Sequence, residues 1–233
     1  MSDYRGYPQA GARSTGIDEG LRAYMIRVYN YMAMGLVITG LSAFATLNSG
    51  LMPVLFGSPL KYVVLLAPLA MVMFLSFRIQ SMSVGTAQVC FWVFSALMGL
   101  SLTPIALVYT GASIAKVFFI SAAAFGSLSL YGYTTKRDLT GFGSFLFMGL
   151  IGIIFAGVVN IFVQSSAIGF ALSILGVLIF TGLTAYDTQK IKAMYYQGNT
   201  ASLGHYAVMG ALTLYLDFIN MFTSLLNLFG DRR

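Results

Sequence analysis

Leu139 to Tyr186 reads LTGFGSFLFMGLIGIIFAGVVNIFVQSSAIGFALSILGVLIFTGLTAY and contains no charged residue. A membrane-spanning helix needs about 20 apolar residues. The run therefore holds two, divided at the polar break Gln164-Ser165-Ser166. The same absence of charge recurs over Val28–Leu60, Ile79–Ala115 and Val117–Thr135. Together these gaps predict spans near 25–47, 60–79, 86–109, 113–134, 142–163, 167–195 and 204–229. The period-2 alternation of a membrane barrel is absent, and a bilayer otherwise admits only helices. The expected fold class is an all-α membrane protein with seven transmembrane helices and short loops.

Composition agrees. Of 233 residues, 58% are hydrophobic and 9% charged, against about 25% charged in a soluble domain. A soluble globular chain is excluded, and so is a disordered one, which needs the opposite balance. The net charge of +6 comes from scattered basic residues, so nucleic acid is not an expected partner. Cys90 is the single cysteine; it excludes an intrachain disulfide and any multi-cysteine metal site, and reads as a small hydrophobe. No phosphate-binding glycine loop, HExxH or GxSxG motif occurs, so no enzyme activity and no resident cofactor are expected.

Residues 1–20 are rich in Gly, Ser, Arg and Asp. They read as a mobile polar tail before a single transmembrane domain over 21–233. Lys/Arg counts set orientation. The N-terminal side carries Arg5, Arg13, Arg22, Arg27, Arg78, Lys136, Arg137, Lys190 and Lys192; the other side carries Lys61, Lys116, Arg232 and Arg233. The N-terminus is therefore expected in the cytoplasm. The two C-terminal arginines oppose this count, and would return to the cytoplasm if the last segment were re-entrant.

Five of the seven acidic residues, Asp3, Asp18, Glu19, Asp138 and Asp231, lie in the tail, a loop or the C-terminus. Asp187 and Asp217 lie inside spans. An intramembrane carboxylate costs roughly 2.5–3.5 kcal/mol by insertion measurements, and such groups face the interior and mark a pathway or a partner. Along the last span, Tyr206, Gly210, Thr213, Asp217, Asn220, Ser224 and Asn227 recur at spacings of four and three. They form one polar stripe that cannot face lipid. Ser173, Gly176, Phe180, Thr184 and Asp187 make a weaker stripe on the sixth span. For the small and hydroxyl residues, ordinary helix packing explains the pattern. For the two aspartates, function explains it better.

Depth brings the aspartates together. The turn between their helices centres on Gly198–Ser202, with Gly198 and Asn199 at a helix C-terminus and Ser202 as an N-cap. Asp187 lies 13 residues before position 200 and Asp217 lies 17 after it. At about 1.5 Å per residue the depths differ by only about 6 Å. Two adjacent carboxylates resist simultaneous ionisation, so the pair is suited to sharing a proton, or to touching a hard cation such as Ca²⁺ in transit. Two carboxylates are too few for a tight calcium site. Arg78 ends the second span after only a short uncharged stretch and approaches the same side as Asp187. It reads either as an ion-pair partner or as a snorkelling interfacial arginine. His205 starts the last span and is assigned no role.

The run Gly182-Leu-Thr-Ala-Tyr-Asp187-Thr-Gln-Lys-Ile191, followed by Ala211-Leu-Thr-Leu-Tyr-Leu-Asp217-Phe-Ile-Asn-Met-Phe222, resembles the C-terminal signature of the Bax inhibitor-1/YccA family, also called the transmembrane Bax inhibitor motif family. Gly99–Ile105 and Ser129–Asp138 resemble its third span and its fourth-to-fifth loop. The likeness covers about residues 20–230 and points to a bacterial member of the cytoplasmic membrane. The resemblance implies seven helices with the last one central, and a pH-sensitive calcium leak. In it, Asp187 and Asp217 match the proton-sensing pair by motif, and Arg78 matches a latch by helix position. Thr213, Asn220 and Ser224 would then line the pathway. The segment between the aspartates is longer than in compact calcium-leak members, with Tyr195–His205 in the extra length. Some bacterial relatives instead modulate a membrane protease, and some of those lack the second aspartate. The alternatives are accordingly a non-conducting regulator bound to a membrane protease or other complex, or a stress or cell-death suppressor acting through Ca²⁺ homeostasis. An intramembrane aspartyl protease fits least, because Asp217 follows Leu-Tyr-Leu.

Overall fold

A computed structural model describes residues 11–199 and 202–233. Nine helices run in order among them: α1 (Gly11–Asn48), α2 (Met52–Phe56), α3 (Leu60–Arg78), α4 (Val84–Leu102), α5 (Ile105–Val108), α6 (Gly111–Thr134), α7 (Thr140–Val163), α8 (Ser166–Gln197) and α9 (Leu203–Phe229). A single 3₁₀ turn, Ile79–Ser81, follows α3. Seven segments are long and apolar enough to cross a membrane: Glu19–Asn48, Leu60–Ser81, Val84–Val108, Gly111–Thr134, Thr140–Val163, Ser166–Gln197 and Leu203–Phe229. They agree with the spans read from the charge gaps. The protein is an all-α integral membrane protein.

Local chemistry sets the helix ends. Ser83, Thr110 and Ser165 each accept a backbone N–H from three residues on, capping α4, α6 and α8. Pro104 follows α4 and leaves α5 as a separate short turn within the third span. Gln164 takes a left-handed conformation, φ 53°, and reverses the chain between α7 and α8 in two residues. Asn160 accepts the Ser165 N–H at 3.0 Å and locks that reversal. Outside the spans, the hydroxyl and backbone N–H of Thr140 hold the Asp138 carboxyl below its ordinary range. Two details differ from the sequence reading. Ser202 occupies the N-cap of α9, but its hydroxyl donates to the Asn199 carbonyl and makes no cap bond. The first helix begins at Gly11, inside the stretch read as a tail; residues 1–10 of that stretch lie outside the described residues.

The last helix is the axis of the bundle. In its apolar segment 67% of residues are buried, against 6–33% in the other six spans. α9 packs against α8, α1, α6 and α4, while α3 sits outside α4 and α7 outside α8. Tyr215, Leu214 and Met221 of α9 are fully enclosed, and Tyr215 meets Phe91 and Phe94 edge-on at 5.8 and 5.5 Å. Small residues allow the close crossings that lipid-embedded bundles need. A side chain at Gly132 would strike the carbonyl of Ala185, drawing α6 onto α8. Ser224 would block a side chain at Gly176, drawing α8 onto α9.

The loops sort onto two faces. His205 at the start of α9 bonds the Met82 carbonyl at 2.8 Å, and Gln189 bonds both Leu139 N–H and the Arg137 carbonyl. The 79–83 and 135–139 loops and the α8–α9 turn thus share one face with the start of the first span, where the tilted rings of Tyr24 and Tyr195 meet at 5.6 Å. At the opposite face, Arg232 pairs with Tyr109 at the end of the third span. The last helix runs unbroken from one of these faces to the other and is long and apolar enough to cross a membrane.

The Gly132 contact yields a test within one helix. Gly132→Ala should destabilise by about 1–3 kcal/mol through overpacking. For a chain of this size that lowers the thermal midpoint in detergent by several degrees, at about 2–4 °C per kcal/mol. Gly126→Ala, on the same helix but facing open space, should leave it unchanged or raise it.

Candidate functional site

Asp187 comes from the last third of α8 and Asp217 from the middle of α9. Their carboxyl groups are neighbours, as the depth estimate requires. They are 9% and 4% exposed. Asp217 Oδ2 is buried and has no hydrogen-bond partner. A buried carboxylate oxygen without a protein partner is costly in an apolar surrounding. Lys190, three residues on from Asp187 and so on the same helical face, is a positive charge that acts on it. Its ammonium group also lies 5.9 Å from the centre of the Tyr186 ring.

Both aspartates open onto a cavity of about 1310 Å³ between α7, α8 and α9, with Leu69 and Val72 of α3 at its edge. Thr213, Asp217, Asn220, Ser224 and Asn227 all line it. The polar stripe of the last helix therefore faces this space between helices. From the sixth span Ser173, Gly176, Phe180 and Asp187 line the same space. Thr184 does not: it is fully buried and donates to the Phe180 carbonyl. Tyr206 and Gly210, at the top of the stripe, serve packing against Gly198 and Ile191.

Arg78 lies elsewhere. It ends α3 exposed to the outside, and among the described residues no ion pair joins it to either aspartate. Its exposed position fits the snorkelling alternative of the sequence reading, while Lys190, on the helix of Asp187, is a charge that Asp187 does feel. Its spacing from Asp187 was available in the sequence, but it had been counted only for orientation.

Two polar clusters escaped the sequence reading because their members sit on different helices. Thr39 bonds Tyr215 Oη at 2.6 Å and donates to the Ser95 carbonyl at 2.9 Å, joining α1, α4 and α9. Tyr29, Ser129 and Thr188 form a chain at 2.5 and 3.0 Å across α1, α6 and α8. The second cluster ends beside Asp187 in the sequence. Three ordinary hydroxyls give no periodic signal on any one helix, and only their meeting makes them a unit.

The donor set suits a passing hard cation. It offers two carboxylates and the amide and hydroxyl oxygens of Asn220, Thr213 and Ser224. Among the described residues no cluster of three or more His, Cys, Asp or Glu side chains forms a metal site. Such a set is short of the six to eight oxygens of a tight calcium cage.

Comparison with known proteins adds family evidence. The model of a family described as "Inhibitor of apoptosis-promoting Bax1" matches residues 21–233. An uncharacterized Rickettsia prowazekii protein is 46% identical over 235 residues, covering 100% of both chains. The Escherichia coli K12 inner membrane protein YbhL is 49% identical over 219 residues, covering 92% of this chain and 94% of its own. An uncharacterized membrane protein of Streptococcus pyogenes is 34% identical over 236 residues, covering 99% of each.

Cysteine scanning reads the cavity directly, since Cys90 is the single native cysteine. In a Cys90→Ala background, Thr213→Cys and Asn220→Cys should react with a small water-soluble thiol reagent. Met221→Cys, on the enclosed side of α9, should not. Equal reactivity at all three positions would contradict a water-filled stripe.

Proposed function

This chain belongs to the Bax inhibitor family of integral membrane proteins, and we propose that it is a pH-sensitive leak for cations, Ca²⁺ foremost. The observation that carries the reading is the neighbouring pair Asp187 and Asp217, opening onto a largely apolar cavity along which α9 presents a polar stripe. A buried pair of carboxyls exchanges a shared proton for a cation more readily than it tolerates two bare charges. Protons and Ca²⁺ thus compete for the same oxygens. This competition makes passage depend on pH without a dedicated sensor domain.

The rest of the machinery follows from placement. Thr213, Asn220 and Ser224 give the ion successive oxygens along α9 and replace part of its water shell. Weak, sequential contacts favour transit over capture. Arg78 stands outside the site at the end of α3, and α3 borders the cavity through Leu69 and Val72. An inward shift of α3 would bring the guanidinium toward Asp187 and close the passage as an ion-pair latch. In the proposed orientation, the face bearing Lys136, Arg137, Lys190 and Lys192 lies in the cytoplasm of a bacterial inner membrane.

The decisive experiment is Ca²⁺ flux from proteoliposomes titrated from pH 5 to 8. The wild type should show a pH-dependent leak. Asp217→Asn and Asp187→Asn should each shift that dependence, and the double variant should abolish it. Flux equal to that of protein-free vesicles at every pH would sink the proposal. A pH response unaltered in the double variant, together with a co-purifying membrane protease, would instead favour the non-conducting regulator.

A further inference from the structure

The aspartate cavity continues toward the opposite face. Asn160, Gly169, Ser173 and Asn227 line both it and a second cavity of about 780 Å³. That second space is a polar vestibule edged by Gln164, Ser165, Ser166 and Arg232. Asp187 and Ser173 are 14 residues apart on α8, so about 21 Å of helix separates the carboxylate pair from this mouth. Among the described residues, Arg232 is the one charged side chain that lines it.

Arg232 is held there by its backbone. Gly230 to Arg233 fold back across the end of the third span. Asp231 N–H donates to Ser113 Oγ at 2.9 Å, Thr110 N–H donates to the Asp231 carbonyl at 3.1 Å, and Arg233 N–H donates to the Val108 carbonyl at 2.9 Å. Tyr109 lies beneath this strap, buried, with its hydroxyl donating to Asn227 Oδ1 at 2.8 Å and its ring 5.9 Å from the Arg232 guanidinium. Gly230 permits the close pass: a side chain there would come within 2.6 Å of the Tyr109 ring. Arg232 is exposed, but backbone bonds on either side of it and the Tyr109 ring beneath it set where its side chain leaves the strap.

We propose that the Gly230–Arg233 strap places Arg232 as a fixed positive charge at this mouth, where it restrains cation passage and does so more strongly for divalent than for monovalent ions. The inference rests on the reading of the passage as a cation leak. Its size follows from Coulomb's law: a unit charge about 6 Å from an ion in a water-like medium reduces occupancy about threefold for a monovalent cation and about tenfold for a divalent one. The charge acts at the far mouth and leaves the aspartate pair untouched, so it sets the rate and the divalent-to-monovalent ratio and not the pH response.

The test compares Ca²⁺ and K⁺ fluxes through proteoliposomes at low ionic strength for the wild type, Arg232→Gln, Arg232→Lys and Arg233→Gln. Arg232→Gln should raise Ca²⁺ flux about tenfold and K⁺ flux about threefold, with the pH midpoint unchanged. Arg232→Lys keeps the charge and should stay near the wild type, as should Arg233→Gln, whose side chain does not line the vestibule. In 1 M salt, where the screening length is about 3 Å, the excess flux should collapse. Unchanged flux in Arg232→Gln, or an equal rise for both ions that survives high salt, would overturn the proposal. Wild-type and Arg232→Gln vesicles both as tight as protein-free ones would overturn the leak reading itself, and this inference with it.

Discussion

Two carboxyl groups buried side by side between α8 and α9 are the constraint around which the bundle is arranged. Each costs several kcal/mol in an apolar surrounding, and Asp217 Oδ2 has no hydrogen bond to offset it. The structure tolerates them by making α9 the axis, so that its polar stripe is turned toward neighbouring helices. Its neighbours are drawn close at positions such as Gly176, where only a glycine leaves room. On the cavity side, Lys190 and the oxygens of Thr213, Asn220 and Ser224 replace part of the missing water. On the opposite side Tyr215 is locked by Thr39 and by two edge-on phenylalanines. One side of the central helix is rigid and dry, and the other is polar and hollow. That asymmetry lets an ionisable pair persist without destabilising the core.

Much of this was legible from the chain alone, for a physical reason. A bilayer forbids unpaired backbone groups, so charge-free runs of sufficient length map onto helices almost without ambiguity, and all seven spans follow. The stripe from Thr213 to Asn227 was legible because a helix repeats every 3.6 residues and a polar face cannot meet lipid. The proximity of Asp187 and Asp217 followed from the rise per residue and a short turn. What was not legible depends on contacts between helices of unknown rotation. The Thr39–Tyr215 and Tyr29–Ser129–Thr188 links join residues more than 50 positions apart. For Arg78 the sequence leaves two readings open, ion-pair partner or snorkelling arginine, because it gives the depth of a residue at a helix end but not the direction of its side chain, which here is outward.

The two faces divide the work. One carries the loops tied by His205 and Gln189 and the end of α3 with Arg78. The other carries the Gln164 reversal and the C-terminal strap, where fixed charge meets the passage. In the proposed leak, the carboxyl pair and the charge of the strap lie about four turns of helix apart along one path. The separation lets either be altered without the other.

The central claim is that protonation of the carboxyl pair and passage of Ca²⁺ are one equilibrium. Infrared titration of the carboxylic C=O stretch in membranes, run beside Ca²⁺ flux on the same preparation, tests this most directly. The account predicts a band that is absent from Asp187→Asn/Asp217→Asn and that titrates with the same midpoint as the leak. It also predicts that added Ca²⁺ displaces the proton and moves both midpoints together. A flux that changes with pH while the band stays constant, or a band indifferent to Ca²⁺, would contradict it.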